Sequence, residues 1–148
     1  MKKSVRVLCL MLTLSLLLAF PVHGEKSNTE SRASAYFSSY WTFLHKTSST
    51  SFEVWFDVTA NAAIMEELGA SMVEVYESPN GENNWTKVQV YEKADYPTMI
   101  DYNTASHVSH VTYNNAISGR YYTACVTYYA KKGNGIGERC IYTEIMQM

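Results

Sequence analysis

Phe52-Glu53-Val54-Trp55-Phe56-Asp57-Val58-Thr59 is the stretch that decides the fold. Read with a period of two, Phe52, Val54, Phe56 and Val58 share one face, and Glu53, Trp55, Asp57 and Thr59 share the other. A strand patterned this way is half buried, with its apolar face on a core and its mixed face toward solvent. Helical spacing would scatter the same four apolar residues around a cylinder.

Outward from that strand, the period of two persists and no sustained period of 3.6 replaces it. Tyr36 to His45 forms an aromatic, mixed run before it. After it, Ala60 to Ala70 holds the single helix-like piece, AAIMEELGA, long enough for one turn ending at Gly69. Met72 to Glu77 reads as the third strand, with Val73 and Val75 inward. Ser78-Pro79-Asn80-Gly81 supplies turn chemistry before Trp85 to Glu92, where Val88 and Val90 read inward. Lys93 to Thr104 reads as a loop broken by Pro97. Ser106 to Tyr113, Arg120 to Ala130 and Glu138 to Met146 complete seven strands, the last two joined across Gly133-Asn134-Gly135-Ile136-Gly137. Seven short strands with a turn signal between each pair predict an all-β fold, an antiparallel two-sheet sandwich over residues 35–148.

The first residues read as an address. Lys2, Lys3 and Arg6 precede an apolar run from Val7 to Phe20, and Val22 and Gly24 stand at the −3 and −1 positions of a cleavage site before Glu25. The run is too short for an ordinary membrane span and fits a signal peptide over residues 1–24. Residues 25–34 (EKSNTESRAS) have no apolar face and read as a flexible polar leader. Removing Lys2, Lys3 and Arg6 lowers Lys plus Arg from 12 to 9 against 14 Asp plus Glu, a net charge of −5. That balance excludes nucleic acid and an anionic membrane surface as partners. The expected location is outside the cell, with no membrane contact after cleavage.

The Trp85-Thr86-Lys87-Val88 end of the third-to-fourth strand hairpin and the segment Gly119-Arg120-Tyr121-Tyr122-Thr123-Ala124-Cys125-Val126 carry a family resemblance. The latter is similar to the G-x-x-Y-x-A/V-x-V entry into the sixth strand of the fibronectin type III and immunoglobulin-like class. The whole of residues 35–146 resembles small secreted proteins of Gram-positive gut bacteria that carry one such domain. The resemblance implies a sandwich whose third, fourth, sixth and seventh strands share a sheet. It also implies a corner role for Tyr122, its hydroxyl bonding backbone just upstream. The chain lacks the Cys…Trp…Cys spacing of antibody-type domains, and Trp55 falls on the outer parity where fibronectin modules place a core Trp.

Cys125 and Cys140 are the cysteines left after export, since Cys9 lies in the apolar run. Cys125 shares parity with Tyr121, Thr123, Thr127 and Tyr129; Cys140 shares it with Tyr142 and Glu144. The opposite parities, Tyr122-Ala124-Val126-Tyr128 and Ile141-Thr143-Ile145, read as core. A turn centred between Lys132 and Gly133 would set Cys125 directly across from Cys140. A register displaced by two would separate their Cα atoms by about 7–8 Å, beyond a good bridge. The export signal favours a structural disulfide, with free thiols or a reactive or metal-binding pair as the alternatives.

Titratable groups gather at Asp101, His107 and His110. Imidazole and carboxylate would suit zinc or copper, yet a spacing of three on a strand sends the two rings to opposite faces. A hydrolytic set of Ser109, His107 and Asp101 lacks a nucleophile elbow, and the glycine-rich turn lacks the lysine and helix of a phosphate loop. No cofactor or metal site is expected from these patterns, and the chain reads as a non-enzymatic module. The binding surface expected from parity is the outer face bearing Tyr76, Tyr91, Tyr121, Tyr129 and Tyr142, with Glu74 and Glu144 as its rim. Five tyrosines there would form an aromatic platform for an extracellular protein or a glycan, or for a second copy of the chain. The rival readings are a small secreted metal-dependent or hydrolytic protein using Asp101, His107 and His110, and an inhibitor or effector acting through the loops Asp95–Asn103 or Gly133–Gly137.

Overall fold

A computed structural model describes residues 35–61 and 63–148. The expected signal peptide (1–24) and polar leader (25–34) lie outside the described residues. The strands are β1 (Phe37–Lys46), β2 (Phe52–Ala60), β3 (Met65–Ser78), β4 (Thr86–Glu92), β5 (Ile100–Thr104), β6 (Ser106–Tyr113), β7 (Tyr121–Lys132), β8 (Gly135–Tyr142) and β9 (Met146–Gln147), with one 3₁₀ turn at Pro97–Met99. They form an antiparallel sandwich. One sheet runs β1-β2-β6; the other runs β4-β3-β7-β8, with β5 also paired to β3 and β9 to β7. The expected grouping of the third, fourth, sixth and seventh strands is therefore the observed one.

The core is the set of inward residues that alternation selects. Phe52, Val54, Phe56 and Val58 from the smaller sheet face Leu68, Val73, Val75, Tyr122, Ala124, Val126 and Tyr128 from the larger one. Ile141, expected in the core, packs against its margin. The Tyr122 hydroxyl accepts the Ile117 backbone N–H at 2.8 Å and donates to Glu77 Oε2 at 2.7 Å. This is the expected corner contact, with a carboxylate added.

Three sequence expectations give way. Ala60 to Ala70 supplies no helix, because β3 is one strand of 14 residues. Its inward residues Leu68, Ala70, Val73 and Val75 step by three at Ser71, an unpaired bulge residue between Ala70 and Met72 in the register against β7. A single bulge thus imitates helical spacing. Gly69 stays in the strand opposite Tyr129 with φ +155, and a side chain there would overlap the Met99 carbonyl oxygen. The expected loop from Lys93 to Thr104 holds the 3₁₀ turn and β5. The C-terminal strand stops at Tyr142 and resumes as β9 one register step out, which leaves Ile145 exposed instead of buried.

Phe56 lies at the centre of the inter-sheet layer, 1% exposed. Phe56→Ala is expected to lower the unfolding free energy by about 3–5 kcal/mol, read from urea midpoints at unchanged m-value. A loss below about 1 kcal/mol would show that the sheets do not depend on this contact.

Candidate functional site

β7 runs through the middle of the larger sheet and fixes its outer face. Glu74 pairs with Cys125, Tyr76 with Thr123, Gly69 with Tyr129 and Ser78 with Tyr121. On its other side, Cys125 pairs with Tyr142 and Thr127 with Cys140. The β7–β8 turn is the two residues Gly133-Asn134, one position later than the sequence reading placed it. Cys125 and Cys140 are therefore diagonal neighbours, not direct partners. Their Cα atoms are nonetheless 6.1 Å apart and the sulfurs are bonded, so the expected register is corrected while the pairing stands. Sheet twist shortens one of the two diagonals, which accounts for a distance inside bridging range.

The five tyrosines do not make one platform. Tyr76 and Tyr142 meet, with ring centroids 6.2 Å apart. Tyr121 is at the far end, its ring covered by the β3–β4 turn so closely that a Cβ on Gly81 would lie 2.8 Å from it. That turn folds around the buried Ser78 hydroxyl, which accepts the N–H of Asn80 and Gly81. Tyr129 sits at the opposite end under the Lys93 ammonium, 3.5 Å from its centroid. Tyr91 turns inward, 5% exposed, and donates to the Thr112 carbonyl at 2.8 Å. The cause is a bulge in β4: Val75 pairs with Gln89 but Tyr76 pairs with Lys87, so Val88 is the extra residue. Parity inverts there, sending Tyr91 to the core and Val90 outward beside Glu74.

What the outer face does hold is a groove of about 450 Å³ lined by Tyr76, Trp85, Thr123, Tyr142, Thr143 and Ile145. Tyr142 and Ile145 are 61% and 53% exposed. The floor is rigid. Thr143 Oγ1 accepts the Ala124 N–H at 3.0 Å, and Thr123 Oγ1 donates to the Thr143 carbonyl at 3.1 Å. Glu74 anchors the lining Tyr76: its carboxylate takes Lys87 Nζ at 2.7 Å and the Tyr76 hydroxyl at 3.1 Å. The Lys87 contact holds Glu74 below the ordinary carboxylate range. Burial first, and Glu74 second, push the Tyr76 phenol up to about 12, so it remains a neutral donor.

The rival constellation is split. His107 faces inward near Phe56, with its Nε2 3.0 Å from the Thr98 carbonyl oxygen and its Nδ1 4.0 Å from Asp101. His110 is on the other face, stacked on Trp55 at 4.5 Å. Among the described residues no group of three or more His, Cys, Asp or Glu has the geometry to hold a metal ion. The loop segments also have structural contacts. Gly133 N–H donates to Glu66 at 3.0 Å, and the Tyr36 ring lies directly over Gly137.

Sequence reasoning missed Trp85, Thr143 and Ile145, because the groove depends on where β8 ends. It also missed an aromatic row on the smaller sheet, although parity had already sent Trp55 outward. No family model matches the chain, and no curated protein matches it. Among solved structures, a protein from Archaeoglobus fulgidus superposes with a TM-score of 0.36 at 4% identity, covering 76% of this chain and 97% of that one, a likeness too loose to carry argument.

Reduction of Cys125–Cys140, which closes a separation of 15 residues, is expected to cost about 3 kcal/mol of stability in the chain-entropy model. Urea unfolding with and without reductant reads it directly; coincident curves would remove the bond from the stability of the sheet. At the other end of the face, Glu67 receives Lys93 Nζ at 3.0 Å and Lys131 Nζ at 3.3 Å. The Lys93 hydrogen bond, joined by Lys131, lowers its pKa from 4.5 against the opposing effect of burial. A carboxylate lowered on folding stabilises fully above its unfolded value and loses that contribution as pH falls through its folded one. The stability gap between wild type and Glu67→Gln should therefore be widest near neutral pH and close on acidification below about 4.5. A gap independent of pH would contradict the ion-pair reading.

Proposed function

We propose that the chain is a non-enzymatic binding module acting outside the cell, and that it takes an apolar side chain of a partner protein in the groove at Tyr76, Trp85, Tyr142 and Ile145. The observation that carries this reading is the groove itself, a carbon-rich concavity where β3, β7 and β8 meet the segment after Tyr142, with two strongly exposed apolar residues at its mouth. The polar groups of its floor are engaged, since the Tyr76 hydroxyl donates to Glu74 and the Thr123 and Thr143 hydroxyls bond the backbone. A ligand therefore gains mainly by removing apolar surface from water, without unpairing these groups. A signal-like start to the sequence and a bonded Cys125–Cys140 pair support an oxidising compartment. Placement in the fibronectin type III and immunoglobulin-like class, and kinship with secreted proteins of Gram-positive gut bacteria, belong to the same proposal.

The structure changes which substitutions test it. Tyr121 and Tyr129 are covered by the β3–β4 turn and by Lys93, so replacing them disturbs folding more than binding. Tyr142 is the informative position. The chain recovered from culture medium would be screened on arrays of extracellular proteins. Tyr142→Ala is expected to weaken the protein partner so found by about tenfold or more, as truncation of an aromatic anchor does, at an unchanged unfolding midpoint. Unchanged affinity in both Tyr142→Ala and Ile145→Ser would move the site off this groove.

A further inference from the structure

The outer face of the smaller sheet carries a second feature. Among the outward positions set by cross-strand pairing, nine form three adjacent rows: Trp41, Asp57 and Val108; Phe43, Trp55 and His110; His45, Glu53 and Thr112. None is Lys or Arg. Trp41 stacks on Phe43 at 4.4 Å, Phe43 and Trp55 are nearly parallel (15°) at 6.3 Å, and His110 stacks on Trp55 at 4.5 Å. Beside the middle row lies a shallow cup of about 300 Å³ lined by Phe43, His45, Glu53 and Trp55. Glu53 Oε2 accepts the Trp55 indole N–H at 2.7 Å, which locks the ring. Glu53 Oε1 is 3.8 Å from His110 Nε2, outside hydrogen-bond distance, and can accept from a ligand.

We propose that this cup is a sugar subsite that takes a neutral pyranose unit of an oligosaccharide. The chemistry follows from the order of the contacts. The lining is nearly all carbon, and its carboxylate is only 21% exposed with one oxygen already engaged. Apolar contact therefore leads and the polar group is accessory. A pyranose matches that order, with a C–H face for the rings and a rim of hydroxyl donors for Glu53. A cation would require the reverse, a well-exposed carboxylate first. Glu53 and Asp57, with no Lys or Arg among the nine positions, disfavour uronic, sialic and sulfated sugars. Trp41 is 61% exposed and covered on one side by Phe43, so it presents a second ring to the next sugar in a chain.

The test is an array of neutral and acidic oligosaccharides probed with the secreted chain, followed by titration calorimetry of the best neutral hit. At least one neutral oligosaccharide is expected to bind saturably. Trp55→Ala should weaken it by about tenfold or more and Glu53→Ala by about fivefold; both are outward positions, and an unchanged unfolding midpoint checks each fold. Tyr142→Ala should leave sugar affinity unchanged, which separates this site from the groove on the other sheet. The proposal is overturned if no neutral sugar binds, or if Trp55→Ala and Glu53→Ala both leave the affinity intact. A face that captures only basic peptides, with affinity falling steeply in salt, overturns it as well.

Discussion

The pairing of β3 with β7 is the constraint on which the larger sheet depends. β3 is the element that reaches β4, β5 and β7, and β7 in turn carries β8 and β9. One register therefore fixes what stands beside what across six strands. Had β3 slipped by one residue, Val73 and Val75 would face solvent and Glu74 and Tyr76 would enter the core. The cost of burying that carboxylate unpaired makes the alternative inaccessible. The Ser71 bulge keeps both halves of β3 in phase with the core, so that Leu68 and Ala70 on one side of it and Val73 and Val75 on the other all point inward.

Alternation inside a strand was legible in the sequence. It gave the inward set from Phe52 to Val58, the outward position of Trp55 and the separation of His107 from His110; the grouping of strands into one sheet came from the family resemblance and not from alternation. Continuity of register across a bulge was not legible. Val88, Ser71 and the step after Tyr142 are ordinary strand residues, and an inserted residue leaves no mark in composition or spacing beyond the step it causes. Each insertion inverts parity downstream. That is why Tyr91 was read as a surface ring and Ile145 as a core residue. The turn between β7 and β8 failed for a related reason: Gly133, Gly135 and Gly137 offer more than one position for two central residues, and a one-residue move displaces the register by two.

The two ends of the larger outer face use their aromatic rings differently. At the β5 end, Lys93 is drawn over Tyr129 while bonding Glu67, with Lys131 on the second carboxylate oxygen. This closes the surface with long aliphatic stems and satisfied charges. At the β9 end, the ladder breaks after Tyr142: the Thr143 N–H still donates to the Ala124 carbonyl, while the Ala124 N–H turns to the Thr143 hydroxyl instead of a backbone carbonyl. The same tyrosine-rich composition therefore yields packed surface where the ladder is complete and a groove where it is interrupted. Composition could suggest a platform, but only the ladder says where the rings are free.

Interruption after Tyr142 also brings the two sheets' outer features close to each other. A cleft of about 480 Å³ runs between β1 and the β8–β9 link, lined by Trp41, Thr42, Phe43 and Leu44 on one side and by Tyr142, Glu144, Ile145 and Met146 on the other. Tyr142 and Ile145 belong equally to the groove of the larger sheet, and Phe43 to the cup of the smaller one. A surface of mixed polarity thus links the two features over the open side of the sandwich, between strands that do not hydrogen-bond to one another. Exposed sheet edges are commonly guarded by charged or bulky side chains, and here Glu144 stands in the cleft among the exposed Trp41, Tyr142 and Ile145, so charge and bulk together occupy the place where a strand added beside β8 would have to approach.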